Sequence, residues 1–462
     1  MLSQWHIISI VITLMLVTII GIYSLRKVKN SSDFAVGGRS IGTTLVASTI
    51  AGTMVGGAST IGTAQLAFQY GFSAWWFTLG AGLSSIILGL FLATPLRRSG
   101  ASTGPGFLAQ TYGEGARTIS CIFSSMGIFL NIIGNILAAT ALLTSILPIS
   151  PFPAACLSVL LIISYVIFGG VWGTGLVGLF KLIVIYASMI YAGFLAYQYS
   201  GGWSGISLSL PTFPYLSLFG RGLGTDLASA FSLLVGVIST QTYLQAVFAG
   251  RNVAASRNGA LVAGLIIPWL GLAGIVIGLY MKISYPLINP AEALPLFFLN
   301  HLQPWLGGVA LTALLISSIG TGAGLTLGVS TMLVQDIYKK LISPQASDQN
   351  VLLFSRLSII LVAAFALVFL SGNLNSLILK WSILSMALRG ATICFPLLFA
   401  IFLHGYVTPR AGTLAIAIAP TGTILWAIFG PGSLDPLYIG LALSLGILLL
   451  LPVAEKSFNI SG

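Results

Sequence analysis

Charge is what this chain has least of. Only 6% of its 462 residues are Asp, Glu, Lys or Arg, and just eight are acidic; about a quarter is usual in soluble domains. With 57% hydrophobic residues and a mean hydropathy of +1.03, a soluble globular fold is excluded. Cysteine is also scarce: Cys121, Cys156 and Cys394 all fall in apolar stretches, so no disulfide framework is expected. His6, His301 and His404 are scattered, so no metal cluster is expected either. No nucleophile stands with a base and an orienting group, which argues against an enzyme and against an organic cofactor. What remains is an all-α, polytopic membrane protein.

Apolar runs that can cross a bilayer, about 20 residues as helix, recur thirteen times. They are 4–25, 42–69, 73–96, 118–146, 152–168, 174–197, 226–249, 258–282, 306–335, 352–371, 375–403, 411–429 and 437–453. The net charge of +11 points to nucleic acid only until the charges are placed. Fourteen of the nineteen basic residues lie in loops 26–41, 97–117, 250–257, 336–351 and 404–410, the adjoining span ends and the C-terminal tail. The positive-inside rule puts those segments in the cytoplasm, the N-terminus outside and the C-terminus inside, in the inner membrane. The expected partners are the bilayer and a small-molecule solute, with no nucleic acid and no obligatory protein partner. The first run lacks a basic n-region and is followed by Arg26, Lys27 and Lys29, so it reads as an anchored helix rather than a cleaved signal.

Two spans are interrupted. Residues 41–69 contain AGTMVGG, with Gly52, Gly56 and Gly57 beside Thr53, Ser59 and Thr60. Residues 226–249 contain Gly236, Ser239, Thr240, Gln241, Thr242 and Gln245. Glycine loosens a helix, and carbonyls freed in lipid need a partner. The spans are second and seventh, and units of five spans must alternate in orientation. That pattern predicts an inverted-repeat transporter with its cargo where the broken helices meet. The organisation expected is one extra helix (4–25), repeat 1 (42–197), repeat 2 (226–403) and two further helices (411–453), all one transmembrane domain. Continuous helices using glycine for close packing are the alternative.

Four stretches, in order, carry a family resemblance. Asp33-Phe34-Ala35-Val36-Gly37-Gly38-Arg39 precedes the first interrupted span, and Phe168-Gly169-Gly170 the sixth. Gln241-Thr242-Tyr243-Leu244-Gln245 is followed by Ala249-Gly250-Arg251-Asn252. The ninth span contains Ser317-Ser318 and ends Gln335-Asp336-Ile337-Tyr338-Lys339-Lys340. Over about residues 30–430 the chain resembles the sodium:solute symporter family. The resemblance implies a Na+ site between the opened first core helix and the eighth. Carbonyls of Ala51, Met54 and Leu314 would hold the ion with the hydroxyls of Ser317 and Ser318. A small-residue packing seam is the plainer account of Ser317-Ser318.

Two residues depart from that pattern. Aligned on Gly169-Gly170, the family's Asp falls at Gly178 and its Gln at Lys181. An ammonium at Lys181 would occupy the sodium pocket itself, and the coupling ion would then be H+ rather than Na+. The alternative is a lysine snorkelling to the headgroups. Arg389 lies deep in the eleventh span, while every acid lies in a loop or at a span end. Asp226 is a candidate partner; otherwise the missing charge arrives as a substrate carboxylate. Thr53, Ser59, Asn131, Asn135, Ser239 and Gln241 are the other candidate solute contacts. Asn131 and Asn135 share a helical face, and each also reads as an interhelical hydrogen bond. Trp75 and Trp76 read as interface anchors.

The function expected is cation-coupled symport of a small polar organic solute, a carboxylate or an amino acid among the candidates, by alternating access. Na+ is the ion implied by the resemblance. A membrane solute sensor is the rival, disfavoured by the short tail at 454–462; a channel is disfavoured by the absence of a ring of filter residues.

Overall fold

The computed structural model describes residues 2–167, 170–372, 378–431 and 434–460. Phe168 and Gly169 of the paired-glycine motif, and the first residues of the 375–403 stretch, lie outside the described residues. Among those described, the protein is helical apart from turns, loops and one isolated bridge between Ile41 and Gly250. Lipid offers the backbone no hydrogen-bond partner, so apolar runs close their own ladders as helices.

Among the described residues each of the thirteen apolar stretches is mainly helical, but thirteen crossings are not established. Among the described residues ten helices are long and apolar enough to cross, or eleven when Leu223–Ile238 and Gln241–Ala249 are taken together. Pro151–Val166 has only 16 residues. The second and third stretches join in Ala58–Arg98, a run of 41 residues. Straight, it would measure about 60 Å, twice the hydrocarbon thickness. The run turns at Gly71, whose φ is +65°, and a Cβ there would lie 1.9 Å from the Tyr215 carbonyl oxygen.

Pro304–Met332 is the axis of the bundle. It is buried on nearly all sides and packs against Glu114–Ile146, Gly170–Tyr199, Pro151–Val166 and Gln4–Leu25. Gln4–Leu25 is mostly exposed, as a helix at the periphery facing lipid would be. Pro409–Phe429 and Pro436–Ile460 pack on each other and on Ile378–Phe402.

The basic loops meet on one face. Arg97 Nε donates to the Gly250 carbonyl at 2.5 Å, Arg251 N to Ile41 O at 2.7 Å, and Arg39 to the Gly100 carbonyl. Ser31 N donates to Asp348 at 3.0 Å, and Arg117 pairs with Asp336 at 3.0 Å. On the opposite face Trp76 Nε1 donates to Leu218 O at 2.8 Å. Trp75 Nε1 donates to Pro268 O at 3.1 Å, so both tryptophans tie helices and loops together.

Candidate functional site

Both interrupted stretches are broken in the structure. The helix Thr43–Met54 stops at Val55, which is non-helical at φ −78° and ψ 76°, and a helix resumes at Ala58. Leu223–Ile238 stops at Ser239 and resumes at Gln241 with a bend of 41°. The packing seam alone therefore does not account for these glycines.

At the first break the freed carbonyls are spoken for. Ser317 Oγ donates to Val55 O at 2.6 Å. Ser59 Oγ donates to Met54 O at 3.0 Å and Gly56 O at 3.1 Å, and accepts Gly56 N at 2.9 Å. Gly57 N donates to Asn135 Oδ1 at 3.2 Å. Ser59 thus clamps the break from within, and Asn135 clamps it from Glu114–Ile146.

Lys181 occupies the cleft between this break and Pro304–Met332. Its Nζ donates to Gly52 O, to Ser317 O at 3.2 Å and to Thr321 Oγ1 at 3.4 Å. The side chain is 2% exposed, so it does not snorkel. Gly178 explains its placement. A Cβ at Gly178 would sit 3.0 Å from Ser48 O, and one at Gly52 would sit 3.2 Å from Gly178 Cα. The two helices cross backbone to backbone, a side chain at Gly178 would press them apart, and the lysine one turn on reaches Gly52.

The residues expected around Na+ border this cleft, and all five are engaged within the protein, the Ser317 hydroxyl on Val55 O as above. Ala51 O accepts Val55 N at 2.7 Å, and Leu314 O accepts Ser318 Oγ at 3.2 Å. Met54 O accepts Gly56 N at 2.9 Å as well as Ser59. The acceptors the cation uses are Gly52, Ser317 O and Thr321. Sequence reasoning missed Gly52 and Thr321; the signal for Thr321 was its position one turn beyond Ser317 on the same helix.

The second break has a cation of its own. Arg389 is 0% exposed. Its Nη1 donates to Thr240 Oγ1 at 2.8 Å, Nε to Ser385 O at 3.0 Å, and Nη2 lies 3.0 Å from Met386 Sδ. No acid pairs with it among the described residues; Asp226 is instead held by Arg221 at 2.6 Å. Gly127 makes room, since a Cβ there would lie 2.6 Å from Arg389 Cγ. Of the guanidinium's five N–H groups, three have these partners.

The remaining candidates link elements. Asn135 Nδ2 donates to Asn131 O at 2.9 Å, and Ser382 Oγ donates to Asn131 Oδ1 at 3.0 Å. Ser239 bonds back to Val235 O at 2.7 Å. Gln241 turns to the basic face, accepting Gly104 N at 2.8 Å and donating to Ser102 O at 3.2 Å. Thr53 faces Gly324 of the axial helix. Tyr243, whose hydroxyl lies 3.5 Å from Met54 Sδ, spans the two breaks. All these groups are buried in this conformation.

Comparison with known proteins follows the same lines. The model described as "SSF: Sodium:solute symporter family" matches residues 34–416. The high-affinity proline transporter PutP of Bacillus subtilis is 24% identical over 433 residues, covering 89% of this chain and 90% of that one. The human high affinity choline transporter 1 is 25% identical over 399 residues, covering 78% and 66%. Among solved structures, a substrate-bound, outward-open Na+-coupled sialic acid symporter aligns with TM-score 0.81 at 16% identity, covering 98% of both chains. A nucleobase-cation-symport-1 family transporter in a closed conformation aligns at 0.61 and 14% identity, covering 93% and 95%. At those identities the solved structures establish a shared fold.

Proposed function

The chain belongs to the sodium:solute symporter family, a transporter and not an enzyme, and from that premise we propose that it couples solute uptake to protonation of Lys181. Two five-helix repeats, 42–197 and 226–403, rock about the two breaks, within thirteen crossings whose basic loops face the cytoplasm. The observation that carries the reading is the Lys181 ammonium bonded to Gly52 O, Ser317 O and Thr321 Oγ1. An ammonium has three donors and here has three acceptors. A neutral amine has two donors, so losing the proton leaves one acceptor without its bond and slackens the tie between the first break and the axial helix. Proton and solute are then linked because both favour the same state.

Sodium in the same cleft is disfavoured by charge. Two unit charges 4 Å apart repel by about 4 kcal/mol at an effective dielectric of 20. The set Ala51, Met54, Leu314, Ser317 and Ser318 would hold Na+ only with Lys181 withdrawn.

Arg389 is the receptor for the solute's negative group in this reading. Its spare donors match a carboxylate, and the charge it lacks inside the protein would come with the cargo. Thr53 and Ser239 line the route, and Asn131 and Asn135 brace it. Proline, named for the B. subtilis relative, has a carboxylate; choline, named for the human one, does not. An amino acid or other small carboxylate is therefore the cargo class favoured.

The test is labelled-solute uptake into proteoliposomes with an imposed pH gradient and, separately, an imposed Na+ gradient, screening amino acids and carboxylates. Accumulation with the pH gradient alone, lost in Lys181→Met, is the expected result. Accumulation with Na+ alone, undiminished in Lys181→Met, would overturn it.

A further inference from the structure

A second cavity lies on the face opposite the basic loops. It measures about 410 Å³ and is lined by Gln65, Thr140, Thr144, Asn289, Glu292 and Ile378. Its floor is where the helix resuming after the first break meets the start of Ile378–Phe402: a Cβ at Gly62 would lie 3.2 Å from Leu379 Cγ.

The polar lining has one charged group. Glu292 is one of eight acids in the chain, and its carboxylate has no ion-pair or hydrogen-bond partner among the described residues. Gln65 is only 7% exposed, and its Oε1 is buried away from the cavity without a donor. Thr140 spends its proton on Ile136 O at 2.7 Å and Thr144 on Thr140 O at 3.1 Å, which leaves their lone pairs free. Asn289 Oδ1 accepts Ala291 N at 3.1 Å. The nearby Lys282 ammonium rests on the Phe68 ring, 4.9 Å from its centroid, and does not line the cavity.

We propose that this cavity is an outer waiting site for an organic ammonium group, held by Glu292 before the passage opens. An unpaired carboxylate in a cavity of this size recognises a cation. A bare alkali ion needs a hollow nearer the roughly 30 Å³ share of one water; the observed volume lies in the range of about 300–1,000 Å³ typical of organic-ligand pockets. The site's role in transport rests on the symport reading above; its binding of an ammonium does not.

The test needs no turnover. Ala141→Cys places a thiol on the cavity wall, in a Cys156→Ser background because Cys156 is the half-buried native thiol. The full-length protein in membranes is labelled with two impermeant methanethiosulfonates, one bearing trimethylammonium and one sulfonate. The cationic reagent is expected to react at least tenfold faster than the anionic one, relative to a free thiol. Glu292→Gln should remove the bias and Glu292→Asp should keep it. Tetramethylammonium chloride should slow labelling where NaCl of equal strength does not. Equal rates for the two reagents, a bias that survives Glu292→Gln, or protection by NaCl equal to that by tetramethylammonium would overturn the proposal. Each outcome is read whether or not a pH gradient drives uptake.

Discussion

The two breaks are built on one plan and finished differently. Gly52 lies three residues before the non-helical Val55, and Gly236 three before Ser239. Gly178 crosses Gly52, and Lys181 three residues on reaches the first break; Met386 packs on Gly236, and Arg389 three residues on reaches the second. The difference is in what meets the cation. The lysine's three N–H groups find three oxygens at the first break, whereas the arginine finds two oxygens and a sulfur for five. The first break is equipped to keep its cation and the second to share it, which is the division of labour that the proposed coupling group and cargo receptor require.

Removing the kept cation should have the largest effect. Lys181→Met preserves length but strips the bonds to Gly52 O and Ser317 O; a buried group left unpaired costs about 1–3 kcal/mol. Gradient-driven accumulation should fall to background, while solute exchange down its own gradient persists. Accumulation at the normal level would end the distinction between the breaks.

Arg389→Gln comes next. Charge-assisted hydrogen bonds contribute about 1.5–3 kcal/mol, so apparent affinity for a carboxylate solute should drop roughly 10- to 150-fold. The amide of the same solute should be taken up with little change. Equal losses for acid and amide would make Arg389 a packing residue.

The glycines beneath each cation sharpen the contrast. Gly127→Ala puts a Cβ 2.6 Å from Arg389 Cγ, whereas Gly178→Ala puts one 3.0 Å from Ser48 O. The first displaces the side chain proposed to receive cargo; the second parts two backbones. We expect Gly127→Ala to raise KM several-fold with little change in pH dependence, and Gly178→Ala to shift the pH profile with KM nearly constant. Uptake measured from about pH 5.5 to about pH 8.5, on either side of neutrality, separates them.

How far this was legible in the sequence differs by level. Interruption of both stretches followed from glycine and hydroxyl residues in lipid-length runs, because freed backbone groups there need partners. The basic loops shared a face for the same elementary reason of charge bias. Lys181 stood out as a cation in an apolar run, yet its depth did not: the apolar pattern begins near residue 174, and the helix begins at or before Gly170. The engaged carbonyl is Gly52's rather than Ala51's because the Gly52–Gly178 crossing sets the distance, and a crossing between segments 126 residues apart is a tertiary fact. Gln241 was placed with the cargo by its neighbours Ser239 and Thr240, but it begins a new helix, and the turn of the chain points it at Ser102 and Gly104. Thirteen crossings followed from hydropathy alone; the fused run Ala58–Arg98 and the short Pro151–Val166 show that apolar length and helix ends need not coincide.

The smallest effect concerns the link between the breaks. Gly57 N, Asn135, Asn131 and Ser382 form a chain of hydrogen bonds from the first break to the helix that carries Arg389. Cutting it at Asn131→Ala removes the neutral bond from Ser382 and a longer one from Asn135, about 0.5–1.5 kcal/mol for the better of the two, so uptake should stay within roughly tenfold of normal. Coupling should suffer more than rate. If the chain lets one break register the state of the other, the variant should dissipate an imposed pH gradient without solute several times faster than the parent, with acid–amide discrimination unchanged. If uptake falls while the leak stays at the parental level, Asn131 serves the cargo directly. The two breaks would then be joined through Tyr243 and the axial helix instead.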